Sequence, residues 1–218
     1  MSIRLKYPIR GAINFVAAAL SVAALVVLVS RAAQDGLPWH VVSFTIYGVS
    51  MVALWTISAT YHSFHYSPLT TLILKRFDHA MIYFLIAGTY TPVCLIILRG
   101  GWGWSLFGVT WALAIAGITL KLIFRTPPKA ITVILFVFYM VMGWLIVIAW
   151  VPLRRTLPSG GVFWLVLGGF FYTTGAGILG IKRPDIIGNF GTHEIWHLFV
   201  MAGCFCHFWM MYKYVLSL

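Results

Sequence analysis

Two histidines four residues apart, His193 and His197 in Thr192-His193-Glu194-Ile195-Trp196-His197, open the last apolar run of this chain. Residues at i and i+4 share one face of a helix, so the pair can aim two imidazoles at one ion. His62, at the end of another apolar run, can supply a third. Three protein ligands and a water are the arrangement of a catalytic zinc, whereas structural zinc is usually closed by four. Zinc held this way lowers the pKa of water to about 7 and makes hydroxide available near neutral pH. Asp78, one of only four acidic residues, is then the candidate to orient that water or act as general base. Ser58, one turn before His62 on the same face, can complete the surroundings. Two other readings stay open: a purely structural metal, and a proton relay without metal.

His193-Glu194-Ile195-Trp196-His197 also matches the His-Glu-x-x-His pattern of zinc proteases, where the glutamate is the base. Glu194 stands about 100° around the helix from His193. Connections this short also leave little room for a protease cleft. The remaining histidines, His40, His65, His79 and His207, read as hydrogen-bonded core residues or interface anchors.

The elements that must position these groups are membrane helices. The chain has 218 residues, 61% of them hydrophobic and 9% charged, with a mean hydropathy of +0.96, far from the composition of a soluble domain. Apolar runs long enough to cross a ~30 Å hydrocarbon core are expected at residues 12–30, 41–61, 77–98, 104–124, 130–150, 161–181 and 190–214. The fold class expected is all-α, a seven-transmembrane helical bundle forming one domain over 1–218. Turn or charge signals separate the runs: Asp35-Gly36-Leu37-Pro38, Arg99-Gly100-Gly101, Thr126-Pro127-Pro128-Lys129, Leu157-Pro158-Ser159-Gly160-Gly161 and Lys182-Arg183-Pro184-Asp185. The first run follows Arg4, Lys6 and Arg10 as a signal peptide would. It exceeds a usual h-region and lacks a small-residue cleavage site, so it reads as the first span. Cys94, Cys204 and Cys206 all fall inside spans, as small packing residues rather than a disulfide framework or thiolate zinc cluster.

Charge orients the bundle. Arg4, Lys6, Arg10, Lys75, Arg76, Lys121, Arg125, Lys129, Lys182 and Arg183 fall on one side; Arg31, Arg99, Arg154, Arg155 and Lys213 fall on the other. The positive-inside rule then makes the N-terminus cytoplasmic and the C-terminus external. The net charge of +11 reads as topology plus attraction to anionic lipid headgroups at the cytoplasmic face. Nucleic-acid binding is excluded, because the basic residues are scattered over short loops. With this topology the second span descends to His62, the third rises past Asp78, and the seventh rises through His193 and His197. All four are expected within about two helical turns of one membrane face.

Away from that face, Pro92 in Thr89-Tyr90-Thr91-Pro92 predicts a kink in the third span, with neighbouring hydroxyls satisfying freed backbone groups. Gly168-Gly169 and Gly175-Ala176-Gly177 predict close helix packing. Trp39, Trp102, Trp104 and Trp150 read as interfacial anchors.

Ser58-Ala59-Thr60-Tyr61-His62, the stretch Phe77-Asp78-His79-Ala80-Met81-Ile82-Tyr83 running to Thr91-Pro92, and His193-Glu194-Ile195-Trp196-His197 running to Cys206-His207-Phe208 together resemble the hemolysin III family. That family is the bacterial branch of the progestin and adiponectin receptor group, and the resemblance covers essentially the whole chain. It implies a bacterial plasma-membrane protein whose zinc site has three histidines with a Ser and an Asp nearby, here His62, His193, His197, Ser58 and Asp78. The wider superfamily includes alkaline ceramidases, which implies hydrolysis of a membrane lipid amide by a zinc-activated water. Many bacterial members carry an acidic stretch and a Thr-His pair at the start of the first span. This chain has Arg10-Gly11-Ala12-Ile13-Asn14-Phe15 there and keeps only the asparagine. Members also vary at the position of Glu194, so an obligatory base is not expected there.

Three classes of function follow. A zinc-dependent lipid hydrolase is favoured by Asp78 beside an open metal position. A receptor-like or regulatory protein would use zinc to hold helix ends together. A pore-forming hemolysin or channel should show polar residues along the full depth of several helices, whereas these cluster at one face.

Overall fold

A computed structural model describes residues 6–124, 127–181 and 190–218. Among them are seven helices long and apolar enough to cross a membrane. In chain order these are α1 (Pro8–Gln34), α2 (Pro38–Ser63), α3 (Pro68–Pro92), α4 (Gly101–Ile123), α5 (Lys129–Trp144), which continues through a short 3₁₀ turn into α6 (Trp150–Thr156), then α7 (Ser159–Ile181) and α8 (Thr192–Met210). Of the expected breaks, Thr126 and residues 182–185 lie outside the described residues, as do the basic residues Arg4 and Arg125.

Proline at the first helical position recurs at Pro8, Pro38 and Pro68, where the ring fixes a helical φ and the missing N–H has no intrahelical partner to lose. At α3 this start lies nine residues before the expected one. Ser67 caps it, its Oγ accepting the Thr70 N–H at 3.2 Å. Its first turns carry Thr70, Thr71, Lys75 and Arg76, too polar to join the apolar run. The other extension is at the fifth span, which runs on to Thr156. There Pro152 leaves the Ile148 carbonyl without a helical donor, and the preceding turn, Leu145–Ala149, tightens to 3₁₀.

Consecutive helices are neighbours, and α8 packs back against α1. α3 is the inner helix: 72% of its most apolar window is buried inside the protein, against 11% for the α5–α6 span. Phe44, Tyr47, Met51 and Trp55 of α2 are nearly fully buried and form much of the central core with α3 and α8. A second cluster, Tyr83, Ala87, Ala114, Leu135 and Met142, seats α5 against α3 and α4. There the Tyr83 hydroxyl donates to the Leu135 carbonyl at 2.7 Å, and that of Tyr139 to His79 at 2.9 Å.

The Pro92 disturbance takes the form of a π-helical turn, Val93–Ile97. Thr89 and Thr91 donate to the carbonyls of Leu85 and Ala87 just ahead of it. In α7, Gly168 packs on the His207 ring and Gly175 on Phe199 and Trp196, while Gly169 and Gly177 face open space. Half of each expected pair therefore serves close packing. Trp39, Trp102 and Trp104 are exposed at helix ends, and the Arg99 guanidinium lies over Trp39. The three cysteines are free and buried.

Candidate metal centre

α2, α3 and α8 bring the five expected residues together. The ligand-capable nitrogens of His62, His193 and His197 lie within 4.8 Å of one another, with ring centroids 4.8–5.2 Å apart. His62 is one residue from the end of α2, whereas Asp78 is ten residues into α3. At ~1.5 Å per residue α3 overhangs the site by about 15 Å. Asp78 therefore meets His62 from the flank of a longer helix and not from a helix end, its Oδ2 4.0 Å from His62 Nε2. The Ser58 hydroxyl faces the Asp78 carboxyl. Trp55, two turns before His62 on α2, lies against His197 with ring centroids 6.1 Å apart and supplies an apolar wall.

The donor set suits a borderline-soft divalent ion. Both ring nitrogens of His62 and Nε2 of His197 are buried without a hydrogen-bond partner among the described residues, a costly state in an apolar interior. Adjacent ligands of a tetrahedral zinc with ~2.0–2.1 Å bonds stand about 3.4 Å apart. The observed spread thus closes with small side-chain adjustments. Two other buried histidines each have a ring nitrogen on a backbone carbonyl: His40 Nε2 is 3.1 Å from that of Val215, and His207 Nε2 is 3.2 Å from that of Leu165, with His207 Nδ1 left unpartnered. These anchor helices, as expected of histidines in a bundle core. Buried hydroxyls elsewhere, on Ser21, Thr89, Thr91 and Thr110, bond carbonyls one turn back on their own helices.

Two further contributors come from the start of α1. Asn14 is fully buried, and its Nδ2 donates to Ser58 Oγ at 3.1 Å. The segment before it binds the end of α2 through backbone bonds, Lys6 N–H to Ser63 O and Tyr7 N–H to His62 O at 3.0 and 3.1 Å. The Tyr7 ring meets His62 edge-on and lies under the Arg10 guanidinium. Arg10 Nε donates to Glu194, whose other oxygen accepts the Gly191 N–H at 2.9 Å. Glu194 is thus committed to Arg10 and the helix start, which removes it as a protease-type base. The only sequence signal for these partners was Asn14, a polar residue in an apolar run. Its contact to Ser58 spans 44 residues and that of Arg10 to Glu194 spans 184.

The arrangement defines a multi-pass helical membrane protein with a largely buried three-histidine cluster and an adjacent carboxylate. The model of the family described as "Haemolysin-III related" matches residues 5–208, and the chain belongs to that family. Similar proteins include "Hemolysin-3" of Bacillus cereus, 43% identical over 92% of this chain and 88% of its own length. "Hemolysin-3 homolog" of Bacillus subtilis (strain 168) is 42% identical over 89% and 87%. The human "Monocyte to macrophage differentiation factor" is 28% identical over 81% and 72%.

Proposed function

We propose that this protein is a zinc-dependent hydrolase of the bacterial plasma membrane that cleaves an amide bond in a membrane lipid, as a ceramidase does. The observation that carries the reading is the cluster of three imidazoles, two of them buried with unpartnered nitrogens, whose ligand atoms lie within 4.8 Å of one another beside a carboxylate 4.0 Å from His62. His62, His193 and His197 are the ligands. Zinc supplies a Lewis acid that makes water nucleophilic near neutral pH. Asp78 takes the proton of that water at its carboxylate as the oxygen adds to the amide carbonyl. It then returns a proton to the nitrogen as the C–N bond breaks, leaving a fatty acid and an amine. Ser58 orients the Asp78 carboxyl, and Asn14 holds Ser58. Apolar walls such as Trp55 keep bulk water away and suit a lipid chain. The N-terminal face, which carries the centre, is cytoplasmic by the distribution of Lys and Arg, and the same residues attract anionic headgroups.

The test uses purified wild type, Asp78→Ala and His197→Ala, with zinc content and fatty-acid release from ceramide as readouts. Wild type should carry zinc and release fatty acid. Asp78→Ala should keep zinc but lose about 10²–10⁴-fold in rate, and His197→Ala should lose both. An undiminished rate in Asp78→Ala overturns the mechanism. Zinc bound without cleavage of any lipid amide leaves an ion that ties α2 to α8, the receptor-like reading.

A further inference from the structure

Glu194 is among the most deeply buried side chains of the protein, 2% exposed, and its partner Arg10 is 22% exposed. A buried ion pair adds little net stability, because desolvation offsets the Coulomb attraction; its best-attested use is to fix one geometry among several. Here the pair joins two elements that the rest of the fold holds apart in sequence. Arg10 belongs to a strap, residues 6–10, made of the chain's entry into α1 and the first turn of that helix, and bonded through Lys6 and Tyr7 to the last two residues of α2. Glu194 lies in the first turn of α8, between the two histidines of that helix, and its second oxygen secures the Gly191 N–H. Gly11, the next residue, is packed so closely on Ser63 that a Cβ would collide with its side chain. The strap therefore cannot slide along α2. His62 stands at one end of this chain of contacts and His193 and His197 at the other.

We propose, on the reading that the three histidines hold a metal, that Arg10 and Glu194 are positioning residues: their ion pair clasps the start of α8 to the strap on α2 and so sets His193 and His197 opposite His62. Neither residue touches the ion. Arg10 acts through Glu194, and Glu194 acts through the helix turn that carries both ligands. Residues that orient metal ligands typically change affinity 10- to 100-fold when removed.

The test measures zinc affinity by chelator competition, the visible spectrum of the cobalt(II)-loaded protein as a report of ligand geometry, and the apo-protein Tm. The variants are Arg10→Gln, Arg10→Lys and the apolar double Arg10→Met/Glu194→Leu, all full-length. Arg10→Gln strands a buried carboxylate and should lower both Tm and affinity, the latter 10- to 100-fold. Arg10→Lys should recover most of the affinity. The double variant removes both charges, so Tm should return toward wild type while affinity stays low and the cobalt spectrum stays altered. Recovery of affinity together with Tm in the double variant overturns the clasp and leaves the metal reading intact. So does wild-type affinity in Arg10→Gln. Failure of wild type to bind zinc or cobalt overturns the metal reading, and the clasp with it.

Discussion

At the scale of single residues, histidine chemistry decides what this protein can do. His62 and His197 are buried with ring nitrogens that find no partner among the described residues, while His40 and His207 each reach a backbone carbonyl. The carbonyl bonds explain the second pair as helix anchors, although His207 Nδ1 is also unpartnered; His62, with neither ring nitrogen bonded, is costly unless something binds it. Protons and metal compete for the same imidazole lone pairs, so each ligand must be neutral to bind. Lowering the pH therefore displaces the ion, with up to three protons taken up per metal released. Stepwise dialysis from neutral toward acidic buffer should strip the metal once the imidazoles take up protons. Reloading after return to neutral pH should be complete. Metal released without proton uptake would mean that histidines do not dominate the ligand set.

At the scale of elements, the site depends on where α3 sits, because Asp78 projects from its flank and not its end. α3 is anchored above by the π turn at Val93–Ile97, against which the first turn of α4 is packed. A Cβ at Gly103 would run into the carbonyl oxygens of Cys94 and Leu98, whereas one at Gly108 would meet nothing within 4 Å. Gly103→Ala should then destabilise by about 1–3 kcal/mol through overpacking against rigid backbone. Gly108→Ala should leave Tm unchanged or slightly raised. Thermal unfolding in detergent reads both, and equal effects at the two positions would refute the close approach. Sequence located these helices well where apolar runs were continuous, since hydropathy depends only on the run itself. It placed the start of α3 late because Thr70, Thr71, Lys75 and Arg76 interrupt the apolar signal, and a cap such as Ser67 is a short-range feature that competes with many similar loop residues.

At the scale of the whole molecule, a ring of helices brings residues 62, 78, 193 and 197 to one point, and most of that convergence was legible. Alternating spans must return to the same face at even intervals, so topology alone placed α2's end, α3's lower half and α8's start together. What topology could not convey was the contribution of α1. Arg10 and Asn14 act through partners 184 and 44 residues away, and no local spacing encodes such distances. The pairing of Arg10 with Glu194 puts the start of α1 beside the centre. The proposed chemistry requires that the histidine cluster hold an ion. The most direct measurement is the zinc content of protein purified without chelators, wild type beside His62→Ala and His197→Ala. One zinc per chain in wild type, falling toward zero in both variants while their helical content is unchanged, is the result predicted. Wild-type protein that neither carries zinc nor takes it up on addition would contradict it.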